Sequence, residues 1–174
     1  MKDFNTLINC AEMVKNEELC DMTIKFLEEK VPEYFRKIPA SSSGKYHPAY
    51  TLGEGGLLRH TIAAVKILNN TLGLDYMKAT FTAIERDKMI AAMILHDTFK
   101  YGVKYNMSDY RDHERKAADQ IKEYFGEHGE DIARLIICHM GQWGVQQPSK
   151  LDEFIVHQAD YLASRKNITV DVYS

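Results

Sequence analysis

An all-α fold is predicted by three features of the 174-residue sequence. Apolar residues recur at steps of three and four along most of the chain. Glycine, proline and serine gather in connectors between those runs. The β-prone tail "NITVDVYS" at 167–174 stands alone, and one isolated strand cannot make a sheet. With 45% hydrophobic and 27% charged residues, the chain can bury a core and solvate its surface, so one ordered domain over residues 1–174 is expected.

The elements follow in order. Residues 4–30 carry Leu7, Ile8, Ala11 and Val14, then Met22, Ile24, Phe26 and Leu27, with the polar "KNEE" between them, which predicts two short helices. Pro32 and Pro39 bracket "EYFRKI", and "ASSSGKYHPAYTLGEGG" has the composition of a loop. It delivers the chain into the helix "LLRHTIAAVKILNNTLG", stopped at Gly73, which places His60 in that helix's first turns. The strongest helix is "AIERDKMIAAMILHDTFKYG", with acidic Glu85 and Asp87 near its start, Met89 and Met93 as core, and His96-Asp97 at its C-terminal end. After the polar "VKYNMS", a single helix is predicted over 109–129, with Ala117, Ile121 and Phe125 inward and His113 near its beginning. "EDIARLIICHMGQWG" gives a shorter apolar helix. After Pro148, "LDEFIVHQADYLASRK" gives a last one, with Asp160 set among its apolar positions.

Composition narrows the function. A net charge of −3 and a pI near 6.2 supply no global basic footprint for nucleic acid. Cys10, Cys20 and Cys138 are odd in number and widely spaced, so neither a disulfide framework nor a thiolate zinc site is suggested, and a reducing cytoplasm fits. Charges interrupt every apolar run of the first eighteen residues, which excludes a signal peptide or membrane span there. Seven histidines are the informative excess, because imidazole is the commonest neutral ligand for transition metals.

Six residues stand out: His60, His96, Asp97, His113, His139 and Asp160, drawn from five predicted helices or helix ends. Facing helices of a bundle can project imidazoles and carboxylates to one point. A carboxylate buried there needs a partner, and a metal cation supplies one.

The order H…HD…H…H…D resembles the HD superfamily of metal-dependent phosphohydrolases, from about Pro39 to about Arg165. "KYHPAYTLGEGGLLRHT" is similar to the corresponding segment of the branch that includes 3′→5′ exoribonucleases. "LHDTFK", "DHE" and "ADYLASR" match further motifs in the same order. The resemblance implies an HD-domain helical bundle with a buried metal site: an HD core over 39–165, the helices of 1–38 packed on it, and a tail at 166–174. It implies that His60, His96, Asp97 and Asp160 hold a first ion, that His113 and His139 hold a second, and that Asp97 bridges the two. Asp97 and Lys100 are then the catalytic residues, with Lys100 countering phosphate charge or orienting the nucleophile. Mixed imidazole and carboxylate ligands suit Mn, Fe, Co, Ni or Zn, as one or two ions.

Two positions depart from the pattern. Met140 follows His139 where many relatives have a second histidine, which puts the second ion in question. Phe99 stands where a glycine is usual and is expected to narrow the pocket. No β-barrel of the exoribonuclease kind is discernible in residues 1–40, so a nucleotide or other small phosphoester is favoured over nucleic acid as substrate, and a homodimer is compatible with the sequence. A non-catalytic sensor that keeps the pocket is the competing class.

Substrate contacts are expected from His47, Arg165 and Trp143. For Trp143 the core or loop-anchoring reading is favoured, and Arg165 is equally readable as a solvated arginine. His128 is expected to be exposed at a helix end, and His157 and Arg59 to lie on the surface.

Overall fold

The structure, a computed structural model, describes residues 2–41 and 43–173. Eight α-helices make up its regular structure: α1 (Lys2–Ala11), α2 (Glu17–Glu29), α3 (Gly56–Leu72), α4 (Asp75–Thr80), α5 (Ala83–Leu95), α6 (His113–Tyr124), α7 (Gly126–Ile137) and α8 (Leu151–Ala163). Short 3₁₀ turns interrupt the connectors, and no strand forms among the described residues. The β-prone tail runs irregularly and pins itself with one buried side chain, Val172.

α5 is the axis of the bundle. A capping box fixes its start: Thr82 Oγ1 accepts from the Glu85 amide while the Glu85 carboxylate accepts from the Thr82 amide. From Met89 to Leu95 every side chain is buried, the pattern of a helix enclosed on all sides. Its neighbours are α1, α2, α3, α7 and α8, and α3 in turn packs against α8 and α1. The connector before α3 is set by two glycines. Gly55 takes a left-handed conformation at φ 72°, and a Cβ on Gly56 would lie 2.0 Å from the Thr51 carbonyl oxygen, so only glycine lets the helix start so close to the loop. His60 is thereby placed one turn inside the core.

The N-terminal helices are tied to α5 by Asp87. Expected as an acidic residue favouring a helix start, it is buried, and its carboxylate accepts from the backbone amides of Lys15 (3.0 Å) and Asn16 (2.8 Å) at the α1–α2 corner. Asn16 also caps α2 through the Leu19 amide. Asp87→Ala leaves both amides without an acceptor and is expected to destabilise the fold by about 2–3 kcal/mol. Urea unfolding should show a lower midpoint at unchanged slope.

Two expectations are corrected. The predicted helix over 109–129 is three elements: a 3₁₀ segment Met107–Asp112, then α6, then α7. Gly126, at φ 51°, breaks the helix after Phe125, and α7 starts there rather than at Glu130. That register turns His128 onto the apolar side of α7 with Ile132 and Leu135, so it is buried and not an exposed helix end. The short helix α4 has no counterpart in the sequence reading. No helix among the described residues is long and apolar enough to cross a membrane.

Candidate metal centre

The bundle brings all six expected side chains together. His60 comes from α3, His96 and Asp97 from the turn that ends α5, His113 from the first turn of α6, His139 from just past α7, and Asp160 from α8. His60 Nε2 lies 2.8 Å from Asp160 Oδ1, and His96 Nε2 lies 3.5 Å from the same oxygen. Asp97 reaches the other half: its Oδ1 is 3.1 Å from His113 Nε2 and 3.8 Å from His139 Nε2. Three overlapping groups have donor atoms within 4.8 Å of one another: His60–His96–Asp97, His96–His139–Asp160 and Asp97–His113–His139. All but Asp160 are buried, and Asp160 is half-buried.

Backbone carbonyls set the tautomers. Nδ1 of His96, His113 and His139 each lies 2.7–2.9 Å from the carbonyl oxygen three residues earlier, on Met93, Tyr110 and Ile136. A carbonyl can only accept, so each Nδ1–H donates, and in the neutral ring Nε2 turns its lone pair into the cluster. That is the orientation found in metal-ligating histidines. Two lone pairs then face each other at 3.2 Å between His113 and His139. Asp97 Oδ1 and His96 Nε2 are buried with no hydrogen-bond partner; the 3.1 Å approach of His113 to that oxygen lacks hydrogen-bond geometry. Buried acceptors left this way are costly, and a divalent cation satisfies them together, so the residues present fit a metal.

Lys100 completes the floor. Its Nζ donates to Asp97 Oδ2 at 2.6 Å, and both groups are buried. Burial opposes charge on each partner. For Asp97 the opposition is overcome by Lys100, His96 and His113, which hold the carboxyl well below its usual range. For Lys100 it is overcome by Asp97, which raises the ammonium pKa. Burial likewise opposes charge on Asp160, but its hydrogen bond with His60 and the nearby His96 imidazole hold its carboxyl well below the usual range.

Two imidazoles give the metal-free protein an acid limit. Burial, reinforced by His96 and His113, pushes His139 down to about 3, and burial with His60 and Lys100 pushes His47 down to about 4. Below the ordinary value of 6.5 the unfolded chain binds protons that these folded sites refuse, so stability falls with pH from 6.5 toward 4. His96 acts in the opposite sense: burial lowers its pKa, but Asp97 and Asp160 outweigh that and raise it, so its contribution is lost as pH rises. Urea midpoints of chelator-treated protein should therefore drop between pH 6.5 and 4, and less steeply in His139→Asn.

His60, Asp97, Asp160 and Lys100 face a cavity of about 620 Å³. His47 lies on its wall, its ring 5.9 Å from that of His60. Arg165 and Trp143 line it as well, together with Tyr46, Tyr110 and Tyr161, which the sequence reading did not single out. Tyr110 stacks on His113 at 5.4 Å between centroids, and its position three residues before that ligand was the available signal. Trp143 is 60% exposed, so it is neither core nor a buried anchor.

Three further expectations are corrected. Phe99 does not narrow the cavity: the turn after α5 points Lys100 inward and Phe99 into the core, edge-on to Phe26. Arg59 is not a solvated arginine, since it pairs with Asp3 and donates to the carbonyls of Tyr50, Leu52 and Glu54, bracing the loop before α3. His157 is half-buried and its Nδ1 donates to the His139 carbonyl at 2.7 Å, supporting the turn that carries His139. Buried Glu114, also missed, accepts from the Val145 amide and ties down the same turn.

The HD domain family model matches residues 57–165. A dihydroneopterin 2′,3′-cyclic phosphate phosphodiesterase of Methanocaldococcus jannaschii is 27% identical over 184 aligned positions, covering 92% of this chain and 69% of that protein. No solved structure matches. The family match begins in α3, which carries the first of the converging side chains, and ends just past α8, which carries the last; the chain belongs to the HD domain family and is a metal-dependent phosphohydrolase.

Proposed function

We propose that this protein is a phosphodiesterase that hydrolyses a small phosphodiester of nucleotide or pterin type, the kind of substrate named for its Methanocaldococcus relative. One observation carries the reading: a set of buried imidazole and carboxylate donors with unpaired acceptors stands beside the Lys100 cation at the base of a cavity sized for a single nucleotide. His60, His96, Asp97 and Asp160 would hold one divalent ion of the Mn, Fe, Co, Ni or Zn class. Asp97, His113 and His139 would hold a second, and these three donors are present without help from Met140. When bound, such ions supply Lewis acidity, neutralising phosphoryl charge and lowering the pKa of a water.

The chain's own groups do the rest. Hydrolysis adds water across one P–O bond, and negative charge grows on the phosphoryl oxygens as that bond breaks. Lys100, kept cationic by Asp97, offers its remaining donors to those oxygens. His47 is neutral at pH 7, so it serves as a hydrogen-bonding wall for the ester or a water and adds no fixed charge. A cavity of about 620 Å³ on a chain of net charge −3 supports a small substrate over a nucleic-acid strand. The free thiols of Cys10, Cys20 and Cys138 support a reducing, cytoplasmic setting.

Protein reconstituted separately with each of the five metals should cleave a 2′,3′-cyclic nucleotide or a neopterin cyclic phosphate, and a chelator should stop it. Stoichiometric metal with no cleavage of any phosphodiester would rule the reading out and leave a phosphomonoesterase.

A further inference from the structure

We propose that Tyr161 and Arg165, with Trp143, form a specificity subsite that takes a bicyclic heterocycle presenting an adjacent carbonyl and ring nitrogen, the edge shared by guanine and pterins. The assignment rests on the phosphodiesterase reading and names the part of the substrate that the metal centre does not touch.

The wall begins at the reaction centre. Tyr161 directly follows Asp160, and Arg165 lies one turn further along the same chain direction. Trp143, the sole tryptophan of the chain, lies parallel to Tyr161, with 4° between ring planes and 5.8 Å between centroids. An indole 60% exposed on a cavity wall leaves a large apolar face uncovered, and a flat ligand ring covers it. Stacking of this kind tolerates any planar base, so it provides grip but little discrimination.

Discrimination falls to Arg165. Its Cζ sits 4.4 Å from the Tyr161 ring centroid and 5.4 Å from that of Tyr46, which holds the guanidinium by its faces and leaves its edge for a ligand. No carboxylate pairs with it among the described residues. Among the described residues the guanidinium's one hydrogen bond is a 3.5 Å contact to the adjacent Ser164 hydroxyl, and its Nε is buried without a partner. A cation left unneutralised on a cavity wall has donors to give. The guanidinium fork matches two neighbouring acceptors bidentately, and of the two purines only guanine offers them, on its O6/N7 edge. Adenine presents a donor, its 6-amino group, where the second acceptor is needed.

Because Trp143 is the only tryptophan, its fluorescence reports this wall alone. Guanosine, which carries no phosphate, should quench it saturably in the metal-loaded protein, and adenosine, equally bicyclic but without the paired acceptors, should do so far more weakly. In hydrolysis, guanosine 2′,3′-cyclic phosphate should be preferred over the adenosine compound by about tenfold to a hundredfold in kcat/KM. Arg165→Met and Tyr161→Leu should collapse that ratio, while Tyr161→Phe should keep it. Equal quenching by both nucleosides together with equal hydrolysis overturns the proposal, and the wild-type measurements decide even where a variant fails to fold. Guanosine-selective quenching with no hydrolysis would retain the subsite and refute the phosphodiesterase reading. Hydrolysis without discrimination would do the reverse.

Discussion

Asp97→Asn is expected to remove metal and activity together. The substitution keeps shape and volume and deletes only the charge, and Asp97 belongs to two of the three donor groups. One of its oxygens faces the α6–α7 side through His113 and His139, and the other holds Lys100 at 2.6 Å. A neutral amide is a poor ligand for a divalent ion and brings an N–H₂ group into a space built from acceptors. Turnover should fall on the order of a thousandfold or more, the scale on which preorganised charge stabilisation is lost. Elemental analysis should find less metal per chain than in the wild type. Removing one member of a buried ion pair also leaves Lys100 without its counter-charge, costing about 3–5 kcal/mol in the metal-free state. A variant that kept both its full metal content and turnover within tenfold of wild type would remove Asp97 from the centre.

The ligand candidates were legible in the sequence because each sits at a helix end or on an apolar face, where an unpartnered histidine or aspartate is anomalous. Their order along the chain then tied them to one site. What was not legible depended on register or on distant contacts. His128 was misjudged because the start of α7 was placed at Glu130; moving it to Gly126 turns His128 onto the apolar stripe. Phe99 looked like a pocket residue because it stands where a glycine is usual in the resembling family, yet the turn after α5 sends neighbouring side chains in opposite directions, and its partner Phe26 lies in α2. Asp87 reads as a helix-dipole residue by local rules, and only the arrival of the α1–α2 corner makes it a clamp. The aromatic wall joins Tyr46 from a loop, Trp143 from a 3₁₀ turn and Tyr161 from α8, and no spacing in the sequence announces that meeting.

Lys100→Met separates charge from coordination at the same centre. Methionine preserves an unbranched apolar stem of similar length in a buried position, so packing changes little. A protonated ammonium has no lone pair for a metal, and Asp97 keeps Lys100 protonated by raising its pKa against the effect of burial. Metal content should therefore stay at the wild-type level, while kcat falls by about a hundredfold to a thousandfold through loss of a preorganised cation beside the phosphate. The pH response carries a second signature. Asp97 has a lowered pKa partly because of Lys100, so its stabilising contribution is present above its unfolded value and disappears as pH falls through the folded one. Without Lys100 the folded pKa rises, the contribution shrinks, and acid unfolding of the metal-free variant should begin at higher pH than in the wild type. If Lys100→Met instead lost metal as completely as Asp97→Asn, the lysine would be a tether that holds the ligand in place. If kcat were unchanged, the phosphate would have no contact with it. Lys100→Arg tests the same point from the other side: it restores the charge in a planar fork that does not fit a single buried carboxylate oxygen, so it should recover only part of the lost rate.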